Sequence, residues 1–168
     1  MIRAALIGAA ERRIGEDMGW ARDVSALGRT AFWRLIGFFR FANFRRAAPR
    51  DLLTLARLGA VMAEDCGPCT RIVVKAARAE GVPAGLLRAG LGGGGGLTGD
   101  AGLAYRFGRA LSAGGPDAAE LGDAVEARLG RRVRTELAMG AAAVRFYPAL
   151  KRGLGYAQTC STTRFDDL

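Results

Sequence analysis

At 168 residues, half of them hydrophobic, the chain is long enough for one domain with a substantial core. Alanine, leucine, arginine and glycine dominate while β-branched residues are sparse, which favours helices separated by glycine breaks over a sheet, so the expected class is all-α, a single-domain helical bundle. The formal charge of +9 does not argue for a polyanion partner, because residues 1–50 hold ten arginines against four acids, the rest is nearly balanced, and no basic stripe, zinc-finger spacing or RNA-binding aromatic motif accompanies the excess.

The chain opens Met1-Ile2-Arg3, and the apolar run from Ala4 to Ala10 is cut off by Glu11, Arg12 and Arg13, which makes a poor signal peptide. No uninterrupted apolar stretch approaches the roughly 20 residues that cross a bilayer, so a cytoplasmic protein is expected. Ile7, Ala10 and Ile14 predict a helix over 4–16, and Phe32, Leu35, Ile36 and Phe39 predict another over 24–44. Pro49 precedes a third, Arg50 to Glu64, with Leu55, Leu58 and Met62 on one face. Helix resumes from Pro68 to about Glu80, stops at Gly81 and Pro83, and returns from Ala84 to Leu91.

The glycines from Gly92 to Gly96 read as a flexible loop. Gly90, Gly92 and Gly95 partly match a dinucleotide fingerprint, but no strand precedes them and no Gly-Lys-Ser/Thr follows, so no phosphate site or other cofactor is expected. Leu103, Phe107 and Leu111 predict the next helix, Leu121, Val125 and Leu129 another after Gly114-Gly115-Pro116, and a last one runs from Arg131 to about Ala157 with Pro148 as a kink or restart.

The chemically distinctive motif is Cys66-Gly67-Pro68-Cys69, between two helices. Two cysteines so spaced can oxidise to a disulfide when the second sits on the first turn of a helix, where Pro68 is tolerated. The helix dipole, Arg71 and Lys75 favour a thiolate, whereas Glu64 and Asp65 oppose it. A zinc site lacks ligands, since there is no histidine and only one further cysteine, Cys160. Inert core cysteines are the plain alternative.

The helix Asp51 to Ala63, the run Glu64-Asp65-Cys66-Gly67-Pro68-Cys69-Thr70, the stretch Ile72 to Val82, then Phe107-Gly108-Arg109-Ala110-Leu111 and the segment Leu137 to Leu154 resemble, in that order, the carboxymuconolactone decarboxylase and alkylhydroperoxidase D superfamily. The resemblance covers about residues 50–160, leaving 1–49 as a helical extension packed on the core and 161–168 as a tail. It implies an alkylhydroperoxidase D-like helical fold, assembly into trimers or multiples of them, and a dithiol near a subunit interface. It also implies that Cys69 attacks a hydroperoxide or disulfide substrate and Cys66 resolves the product as a disulfide, with a thiol reductant closing the cycle. The family's glutamate falls where this chain has Thr54, and its histidine where it has Val73, which leaves Glu64 as the replacement base. The expected function is therefore a thiol-dependent antioxidant or disulfide-exchange protein, with catalytic residues Cys69, Cys66 and Glu64; the alternative is a non-enzymatic helical oligomer whose dithiol is structural or redox-sensing.

Residues 24–46 carry six of the thirteen aromatics, mixed with arginines. Phe32, Leu35, Ile36 and Phe39 share one face while Trp33, Phe41 and Phe44 lie on another, so a second surface is implied. A neighbouring subunit is favoured over an anionic membrane for that role.

Overall fold

The computed structural model describes residues 2–156. Within them the chain forms nine α-helices and no strand: α1 (Ile2–Ile14), α2 (Gly19–Ala26), α3 (Arg29–Ala42), α4 (Arg50–Ala63), α5 (Gly67–Ala79), α6 (Ala84–Leu91), α7 (Gly99–Ala113), α8 (Ala118–Leu129) and α9 (Arg131–Gly153). None of them is long and apolar enough to cross a membrane.

The central element is α4. Between Asp51 and Arg57 it carries no charge, and Leu52 to Ala56 and Leu58 to Val61 are all buried, so it is covered on every side as an all-round apolar helix must be. Its nearest neighbour is α7, where a Cβ on Gly108 would run into the Ala56 carbonyl and one on Gly59 into the Tyr105 carbonyl. The two helices therefore meet backbone to backbone. That approach sets Leu103, Ala104 and Phe107 against Leu52, Leu53 and Ala56, with Val125 of α8 and Val133 and Leu137 of α9 completing the layer. On the other flank Leu55, Leu58 and Val61 pack with Val74, Ala77 and Leu87 in a cluster that includes both Cys66 and Cys69.

The first three helices close over α5 and α9. Ile7, Met18, Trp20, Phe32 and Leu35 form a third cluster with Tyr147 and Leu150 of α9 packed against it. Glu16, just beyond α1, accepts from Arg71 of α5 through both carboxylate oxygens, at 2.6 and 3.1 Å.

A single buried carboxylate fastens α9 to the approach to α4. Glu136 accepts the backbone N–H groups of Arg46, Ala47 and Ala48 at 3.0, 2.9 and 2.8 Å. Burial pushes its carboxyl up, but the three amides outweigh that and hold it below the usual range.

The single helix expected over 24–44 is two. Gly28 separates them at φ +127°, ψ 176°, a region closed to side-chain-bearing residues, while the apolar spacing carries on across the break. Helix α2, with Trp20 and Ala21 buried, has only eight residues, too few repeats for periodicity to mark it. Within α3, Phe32 and Leu35 are buried, whereas Trp33 and Phe41 are each 48 % exposed and Phe44, just beyond it, 44 %. The glycine run turns between α6 and α7, and Gly94, at φ +83°, leaves its missing side chain's space to the Tyr105 ring. Helix α9 passes unbroken through Pro148, which is buried; packing there outweighs the lost backbone hydrogen bond.

Candidate functional site

The chain passes from α4 to α5 through Glu64, Asp65 and Cys66. Asp65 makes the turn at φ +49°, in the left-handed region that aspartate tolerates better than most residues. This places Cys66 at the N-cap of α5 and Pro68 within its first turn, where a missing N–H leaves no bond unmade. The Cys66 carbonyl then accepts the Thr70 amide at 2.9 Å and the Thr70 hydroxyl at 3.0 Å, which secures the turn.

Cys69 comes round one turn later, and its side chain hydrogen-bonds to Cys66. Neither is in a disulfide, and they are 1 % and 4 % exposed, Cys66 and Cys69 respectively. The Cys66 thiol is brought down to about 6: the hydrogen bond from Cys69 is the largest cause, the Cys69 backbone N–H and the charges of Lys151 and Arg152 act the same way, and burial opposes them. The cations foremost in this effect come from the end of α9. Arg71 and Lys75, expected from the sequence to supply positive potential, both pair with Glu16. Cys66 should therefore ionise first, and a thiolate absorbance titration of the reduced chain is expected to show a midpoint near 6 that Cys66→Ser removes. A first midpoint above 8 in the parent chain would contradict this reading.

The two sulfurs differ in what they face. Cys69 lines a cavity of about 220 Å³ formed between α1, α2, α3, α4, α5 and α9; Cys66 does not. Most of the wall is apolar, including Met18, Phe39, Val61 and Val144, and the polar groups in it include Arg57, Tyr147 and Lys151. Thr54 and Val73, where the resembled family keeps its glutamate and histidine, line the same cavity as Cys69.

Glu64 lies elsewhere. It borders a separate depression with Phe38, Phe41 and Phe146, and its carboxylate is clamped by Arg145 at 2.8 Å and Arg152 at 2.9 Å. Burial alone would raise its carboxyl, but the hydrogen bonds and charges of Arg152 and Arg145 leave it lowered. A carboxylate so stabilised in its ionised form is a weak proton acceptor, and its geometry is that of an anchor tying the end of α4 to α9. Ser112 of α7 adds a bond to the same carboxylate at 3.3 Å.

The structure thus brings Cys66 and Cys69 together, sets Glu64 apart from the cavity, and adds Lys151, Arg57, Trp20 and Tyr147, which sequence reasoning missed. Lys151 carried one legible signal: it is one of only two lysines in an arginine-rich chain. Cys160 lies outside the described residues. Among those described, no three His, Cys, Asp or Glu side chains gather in a way that could hold a metal ion. Compared with protein-family models, curated proteins and solved structures, the chain matches none.

Proposed function

We propose that this is a thiol-dependent, alkylhydroperoxidase-like antioxidant or disulfide-exchange enzyme that cycles Cys66 and Cys69 between dithiol and disulfide in a reducing, cytoplasmic setting. The observation that carries the reading is a hydrogen-bonded cysteine pair in which Cys66 is the readily ionised member and Cys69 the one facing an apolar cavity. The Cys66 thiolate takes the proton of Cys69 along their hydrogen bond, so no separate glutamate or histidine is needed. Cys69 then attacks the distal oxygen of a hydroperoxide; the O–O bond breaks, a sulfenic acid forms, and the alkoxide leaves as alcohol with the proton held by Cys66. Cys66, again a thiolate, displaces hydroxide from the Cys69 sulfur, which leaves a disulfide and, after protonation from solvent, water. An external thiol restores the pair.

The shared cavity of Cys69, Thr54 and Val73 supports the superfamily resemblance, because the positions of its proton relay line the same cavity as the reacting cysteine. The exposed Trp33, Phe41 and Phe44 support the homo-oligomer, a trimer or multiple of it, that the same reading implies. Near-complete burial of both sulfurs favours the second reading, a structural or redox-sensing dithiol in a non-enzymatic helical protein.

Intact mass separates a redox-cycling pair from a structural one. One equivalent of an organic hydroperoxide added to the reduced chain is expected to remove two hydrogens, with peptide mapping placing the link between Cys66 and Cys69, and a dithiol reductant is expected to reverse it. An unchanged mass, or a dimer linked through Cys160, would favour the second reading.

A further inference from the structure

The cavity beside Cys69 carries more hydrogen-bond donors than the protein satisfies. Trp20 is 2 % exposed, and its buried indole N–H has no partner among the described residues. Arg57 gives one arm to the Ala42 carbonyl, yet its buried Nε–H is likewise unpartnered. Lys151, 4 % exposed, has no ion-pair or hydrogen-bond partner among the described residues, and its Nζ lies 5.9 Å from the centre of the Trp20 ring. A buried donor left without an acceptor is costly, and two such donors beside the Lys151 ammonium around one cavity describe a site made for an acceptor that the chain does not supply.

Charge narrows the class. Glu80, on the same wall, acts on Arg57, which leaves Lys151 as the cation not offset by a lining carboxylate. The field of the Cys66 thiolate reaches Lys151, but Cys66 is outside the cavity lining, so the ammonium keeps its capacity to bond a guest. Size and polarity narrow it further. The volume of about 220 Å³ is somewhat larger than the ~150 Å³ cavity that holds benzene, and most of the wall is hydrocarbon or aromatic, which suits a tail of about eight carbons.

We propose that this cavity binds a small amphiphilic monocarboxylate, its head received by the Lys151 ammonium and the Trp20 indole N–H and its tail by the apolar wall around Val61 and Val144. The site goes beyond the redox reading and does not depend on it. If the cycle operates, the same site selects carboxylate-bearing substrates or is blocked by fatty acids.

The test is calorimetric titration of the reduced full-length chain, without peroxide, with octanoate and with 1-octanol, which has a comparable tail and no charge. Octanoate is expected to bind one per chain and on the order of tenfold more tightly than 1-octanol. Lys151→Met, which removes a buried charge while keeping the stem, is expected to erase that preference and leave 1-octanol binding in place. Trp20→Phe is expected to weaken octanoate a few-fold with a smaller effect on 1-octanol, so the proposal remains testable if Lys151→Met fails to fold. No saturable octanoate binding to the parent chain, equal affinity for both ligands, or a preference that survives both substitutions would overturn it. Because no thiol chemistry enters the measurement, its failure and a failure of the peroxidase reading are separate results.

Discussion

A Cys69→Ser chain is expected to consume no hydroperoxide, whereas Cys66→Ser should retain one slow reaction that stops at a sulfenic acid. The asymmetry follows from position. Cys69 is the sulfur that lines the cavity, so a guest there meets it and not Cys66. Serine cannot replace it, since a hydroxyl is neither appreciably ionised near neutral pH nor as nucleophilic as sulfur. Removing Cys66 instead takes away the acceptor of the Cys69 proton and the sulfur that resolves the sulfenic acid. The first reaction should therefore slow, and its product should accumulate for capture by a sulfenic-acid reagent. In the parent chain the rate should rise with pH through about 6, as the Cys66 thiolate that serves as proton acceptor forms, and level off above it. Equal loss of the first reaction in the two variants would reject the assigned roles.

Glu136→Gln is expected to lower stability by about 2–4 kcal/mol, because one side chain satisfies three backbone donors of the segment leading into α4. The amide keeps one acceptor oxygen but sets its own NH2 against the remaining donors. For a chain of this size the loss corresponds to roughly 5–15 °C in melting temperature. The sign of the pH dependence is also fixed by the environment: the folded carboxyl is held below its unfolded value, so its contribution is full above the unfolded range, near ~4.3, and is lost as pH falls through the folded value. The difference between parent and variant should therefore shrink in acid. A variant as stable as the parent at neutral pH would show that the amides find other partners.

The legible part of the fold was the part with several turns of regular spacing or a marked boundary. Helix α4 begins after Pro49, α6 after Pro83 and α7 ends at the left-handed Gly114, so sequence punctuation and backbone conformation coincide. The break at Gly28 was illegible because apolar spacing does not register a change of direction, and Gly28 does not differ by type from glycines inside helices, such as Gly59 and Gly108. The dithiol was legible because its members are three apart in sequence and local geometry alone brings them together. The cavity was not, since its wall joins Trp20, Thr54, Cys69, Val73, Tyr147 and Lys151 from helices that only tertiary packing makes neighbours. Glu64 was singled out by its place beside Cys66. The arginines that hold it, Arg145 and Arg152, are more than 80 positions along the chain and gave no local sign.

The most direct test of the redox account is hydroperoxide consumption by the reduced full-length chain with a small dithiol in excess. The account predicts consumption of many equivalents per chain, above the rate of the dithiol alone, with Cys66 and Cys69 passing through their mutual disulfide and Glu64→Gln keeping most of the rate. Consumption no faster than the dithiol alone, or a rate untouched by Cys69→Ser, would contradict it.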